Sequence, residues 1–146
     1  MRCFIIKTMK IAGIAALYSF VGLLICMTAN TCLWEPFLHR YNDDSSRAWP
    51  LFTLYYNDLV FLVTLMIAFL AGHSYRPHFQ VGGVVTGVAA ALLFRFAERT
   101  QHSQGKGPSM GSTLLAAAFF GLAFGLLGSV IAARRKPKTS PEPTPR

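Results

Sequence analysis

The stretch that most limits what this chain can fold into is residues 112–133, STLLAAAFFGLAFGLLGSVIAA, 22 residues without a charge that end at Arg134, Arg135 and Lys136. A helix of that length is roughly 33 Å long, enough to cross a hydrocarbon core of about 30 Å. A helix bordered by water needs a polar face, and this one has none. Small residues recur at every fourth position: Ala117, Gly121, Gly125 and Ser129. In lipid, helices gain little from hiding apolar surface, so small residues that let backbones approach are the usual means of pairing. The segment reads as a spanning helix shaped to meet another helix.

Three further segments read the same way. Residues 1–10 form a short basic segment (Arg2, Lys7, Lys10), and the absence of charge up to Trp34 gives a first span over about 11–31. A cleaved signal peptide is the competing reading, because a basic region precedes the apolar run. That run exceeds the usual length of about 7–15 residues, and Met27-Thr28-Ala29 is a poor cleavage site, which favours a retained helix. A second span covers about 51–72 and contains Asp58. The third, about 78–96, is the least apolar; Arg95 near its end can reach the interface by snorkelling. Gly83, Gly87 and Ala91 make a second small-residue ridge, a natural mate for that of the fourth span. The expected fold class is therefore all-α, an integral membrane four-helix bundle with spans three and four in close contact. With 53% hydrophobic and 14% charged residues, the chain holds more apolar material than a soluble core needs.

The charge distribution orients it. The two termini and the loop between spans two and three carry nine Lys and Arg, and the other two loops carry five, which places both termini in the cytoplasm. The net charge of +8 lacks the basic, aromatic-interleaved stripe of a nucleic-acid binder, so no nucleic-acid partner is expected. It reads as a topology signal and as attraction to anionic headgroups of the lipid bilayer. Localisation follows as a multi-pass protein of a plasma membrane or bacterial inner membrane. Residues 32–50 form the outer loop, with Trp34 and Trp49 as interface anchors at its ends and a turn cluster at Asn42-Asp43-Asp44-Ser45-Ser46. The tail, residues 134–146, is basic and proline-rich, hence extended and disordered.

Candidate chemistry is sparse. Asp58 is the one acid inside an apolar span, a position that marks an ion or proton site or a partner for a basic residue. Pairing with Arg95 or Arg99, or hydrogen bonding near Tyr55, Tyr56 and Asn57, is its structural reading. Thr53, Asn57 and Thr64 share one helical face, continued by Ala68 and Ala71. That face suits a pore lining or, more commonly, a helix–helix seam. His39 and His102 fall on one side of the bilayer, and His73 and His78 on the other, which rules out a four-histidine site. A pair with Glu35 or Asp43 is the remaining metal reading, and it is weak. The cysteines Cys3, Cys26 and Cys32 show no metal or disulfide spacing, and Cys3 is either a free thiol or a palmitoylation site. Residues 105–111 superficially resemble a phosphate loop without its strand or spacing. Ser140-Pro141 and Thr144-Pro145 match proline-directed phosphorylation dipeptides that a tail of this composition produces by chance. No nucleophile–base arrangement emerges, so an enzyme is not expected, and neither is a cofactor or metal.

The layout resembles the claudin and peripheral myelin protein 22 superfamily of small tetraspans. The features that carry it are Leu33-Trp34 in loop one, Arg47-Ala48 before span two, Gly82-Gly83 in span three and Met110-Gly111 leading into span four. The resemblance implies cytoplasmic termini, a dominant outer loop and lateral contacts with partners, with Trp34 as a loop anchor. The family's glycine before the Leu-Trp pair and the later loop cysteines have no counterpart here. Two functions follow. One is a non-enzymatic interaction protein, either an accessory subunit of a membrane complex or a claudin-like protein, with a membrane-protein partner or a homo-oligomer. The other is a small oligomeric transporter or channel component using Asp58.

Overall fold

A computed structural model describes residues 2–75, 80–101 and 109–135. Among these the chain forms four helices: α1 (Arg2–Arg40), α2 (Ser45–Ser74), α3 (Gln80–Gln101) and α4 (Met110–Arg134). Each is long and apolar enough to cross a membrane, and the fold is all-α. Ala15 shares a cluster with Ala71 while Trp34 meets Phe52, so α1 and α2 run antiparallel; Ser19 bonds Ala90 while Gly22 lies against Phe94, so α1 and α3 run parallel. Ala91 and Ala117 share a further cluster, and a Cβ on Gly83 would meet Ser129, so α3 and α4 run antiparallel. Among the described residues α2 and α3 each touch all three other helices, whereas α1 and α4 never meet. The cross-section is a rhomb with α1 and α4 at its far corners.

Side-chain size explains the arrangement. Where α1 meets α2 and α3 it buries only Ala15, Ser19, Gly22 and Cys26, a small-residue stripe against which Ile67 and Phe94 fit. Ile14, Tyr18 and Leu23 pack beside this stripe, and the opposite side of α1 faces outward, with Leu17, Phe20 and Leu24 among its exposed side chains. Basic residues 2–10, expected as a segment before the first span, are the first turns of α1 itself. The tail from residue 136 onward lies outside the described residues.

The segment 32–50 differs from the loop expected of it. It is helical except for a turn at residues 41–44, where Asn42 (φ 53°) and Asp43 (φ 60°) take the left-handed conformation that Asn and Asp tolerate best. The register of Ser19 with Ala90 and Gly22 with Phe94 sets the end of α3 level with residue 29 or 30 of α1. Beyond that level α1 and α2 continue as a pair, and α1 alone adds about 15 Å. Aromatic packing makes this possible. Trp34 meets Trp49 and Phe52 edge-on at centroid distances of 5.4 and 5.0 Å, and Phe37 meets Phe52 at 5.6 Å. Such contacts favour two aligned helices over a solvated loop. They hold the helix despite Pro36, which cannot donate the usual backbone hydrogen bond.

Candidate functional site

Two regions stand out: the packing seam of α2, α3 and α4, and the projecting α1–α2 hairpin. In the seam the ridges of α3 and α4 face each other. A Cβ on Gly87 would lie 2.6 Å from the Gly125 Cα, and one on Gly121 would lie 2.9 Å from the Val88 Cα. Ala91 and Ala117 close the ridge in a cluster that also takes Ala68 from α2. Gly83 abuts Ser129, whose hydroxyl donates to the Leu126 carbonyl of its own helix at 2.8 Å.

Sequence reasoning missed the third member of this seam. A Cβ on Gly72 of α2 would collide with the Gly125 backbone, and one on Gly128 would collide with the Phe69 carbonyl. Both glycines continue small-residue spacings visible in the sequence, four residues after Ala68 and seven after Gly121. Ser19 was missed as well. Its hydroxyl lies 2.7 Å from the Ala15 carbonyl and 2.9 Å from the Ala90 carbonyl, so its single proton bridges α1 and α3. The signal was the spacing Ala15, Ser19, Gly22, Cys26.

The polar residues of α2 do not share one environment. Thr64 is buried and donates to the Val60 carbonyl at 2.7 Å, whereas Thr53 is half-buried and donates to the Trp49 carbonyl at 2.8 Å. Asn57 and Asp58 are exposed. The structure does not join Asp58 to Arg95 or Arg99: it has no hydrogen bond or ion pair with any described residue. The hydroxyls of Thr53 and Thr64 are thus spent on their own helix. No continuous polar path along the stripe results.

At the hairpin, Trp34 is half-buried and Trp49 is 59% exposed, with Leu33 and Leu54 also outward. Asp44 caps α2 by accepting from the Ser46 amide at 3.0 Å and the Ser46 hydroxyl at 2.6 Å. The hydroxyl contact is the main reason its carboxyl is held below the usual carboxylate range. His39 pairs with Asp43 at 2.9 Å and Arg47 with Asp44 at 3.3 Å, all at the turn. Among the described residues no group of three or more His, Cys, Asp and Glu could hold a metal ion. Cys26 is buried, and Cys3 and Cys32 are exposed. His78, His102, most of residues 105–111, Ser140 and Thr144 lie outside the described residues. Comparison with family models, curated proteins and solved structures returns no match.

Proposed function

We propose that the protein spans a membrane four times, with both termini in the cytoplasm, and acts as a non-enzymatic interaction protein: an accessory subunit of a membrane complex or a claudin-like lateral partner. Its flanks support insertion, since Leu17, Phe20, Leu115, Phe119 and Leu122 are all exposed and an apolar solvent is what such a surface needs. The charges support the orientation. Among the described residues the terminal end carries five Lys and Arg (Arg2, Lys7, Lys10, Arg134, Arg135) against four at the hairpin end (Arg40, Arg47, Arg95, Arg99), and over the full sequence the ratio is nine to five.

The observation that carries the reading is the hairpin. A segment that only linked two spans would need no aromatic core and no helical projection. This one holds Trp49 and Leu54 outward on a scaffold fixed by Trp34, Phe37 and Phe52. Rigid exposed aromatics are what interface anchors are made of. Affinity recovery of the tagged protein in mild detergent tests this. A near-stoichiometric membrane protein should co-purify and be lost with Trp49→Ala, while the variant still melts as wild type. A solitary protein in both cases contradicts the reading.

The transporter reading has one observation in its favour. Asp58 is exposed on the bundle's flank, so a pathway through it would have to be enclosed between copies. It requires solute flux in liposomes that Asp58→Asn abolishes.

A further inference from the structure

One face of α2 is turned away from the bundle. At about 100° per residue, Leu51, Leu54, Tyr55, Asp58 and Leu62 fall on an arc roughly 100° wide, opposite the buried Val60 and Ile67. The four apolar members are 41–63% exposed. Asp58 sits at the middle of this arc, exposed and joined to no described residue. The face is about 17 Å long, from one turn inside the hairpin to well within the bundle's length.

We infer that this face docks a membrane-spanning helix of a partner protein that carries an Arg or Lys level with Asp58. The inference rests on the interaction reading above and names the chemistry of the partner. Acyl chains suit Leu51, Leu54 and Leu62 but offer nothing to a carboxylate. An uncharged helix laid on the face would bury that carboxylate unpaired, which is costly. A helix with one cation at this level matches both the apolar arc and its centre, and the length of the face fits a helix better than a single headgroup. A second copy docked by two-fold symmetry on the same face would set Asp58 against Asp58, like charge against like.

The test uses the full-length protein in lipid vesicles and a synthetic single-span Leu/Ala peptide with one Arg placed level with Asp58, association being read by energy transfer between dyes. The Arg peptide should associate with wild type. Association should weaken roughly tenfold with Asp58→Asn, or with a peptide whose Arg is replaced by Leu. Asp58→Lys should lose the Arg peptide and gain one carrying Glu at the same level, which a folding defect could not produce. Equal association of the Arg peptide with wild type and Asp58→Asn overturns the inference, as does dimerisation of the protein alone that depends on Asp58. The broader reading fails separately. If native recovery yields a partner that Asp58→Asn retains, only the docking face is wrong; if no partner is recovered, the interaction function itself is wrong.

Discussion

The α2–α3–α4 seam and the α1–α2 hairpin solve the same problem, holding helices together, with opposite side chains. In the seam, glycine and alanine remove the side chain so that backbones meet: Gly72 and Gly87 both lie against Gly125. In the hairpin, Trp34, Phe37 and Phe52 pack ring against ring between the two helices, with Trp49 resting on their outer side. On the proposed insertion, with the seam in lipid and the hairpin turn toward water, the contrast follows from the solvent. Within lipid, burying a large apolar side chain gains little and close approach is what remains. Toward water, burying an aromatic recovers the full hydrophobic gain. The seam should therefore tolerate no growth, and the hairpin no loss of size.

The largest expected effect is at the seam. Gly72→Leu should prevent the bundle from closing, at a cost beyond ~3 kcal/mol, because the obstacle is the Gly125 backbone and not a movable side chain. Unfolding by SDS titration in mild detergent reads it, and a variant as stable as wild type would break the comparison from that side. On the hairpin side, Phe52→Ala removes a side chain that is 5% exposed and should cost about 3 kcal/mol. Near-neutral behaviour would mean that the aromatics decorate the hairpin without holding it. Ser19→Ala sharpens the picture between the two regions. It should lower stability by about 0.6 kcal/mol, the average for one interhelical hydrogen bond in a membrane bundle, and by no more than about 1.7 kcal/mol. Gly13→Ala is the control for the seam: a Cβ there meets nothing within 4 Å, so loss of helix-disfavouring glycine should stabilise by about 0.5–1 kcal/mol.

The smallest effect concerns the turn. Asp44 has a folded-state pKa below its unfolded value, so its contribution is present above the ordinary carboxylate pKa of about 3.9 and is lost as pH falls through the lower folded value. Amide exchange in the first turn of α2 should accelerate only in that acid range. Asp44→Asn should flatten the response.

Much of the bundle was legible in the chain. Residues 112–133 announce a spanning helix by length and lack of charge, and the two ridges that meet in the seam are visible as every-fourth small residues. The participation of α2 was harder to see, because Gly72 stands at the end of an apolar run where a glycine also reads as a helix stop. The hairpin was hidden by composition. Charges and turn residues between 35 and 47 gave it the look of a loop, although Trp34, Phe37, Leu38 and Tyr41 have helical spacing. Asp58 showed its oddity in the sequence but not its direction. Only packing reveals that α2 leaves it exposed and joined to neither Arg95 nor Arg99.

Hydrogen–deuterium exchange of the protein in lipid nanodiscs, followed across residues 30–56, tests the central claim most directly. The hairpin should give slow exchange through residues 34–40 and 49–56, with fast exchange confined to the turn at 41–44 and the first turn of α2. Uniformly fast exchange from 32 to 50 would make the segment a solvated loop, and with it would fall the rigid aromatic surface on which the proposed function stands.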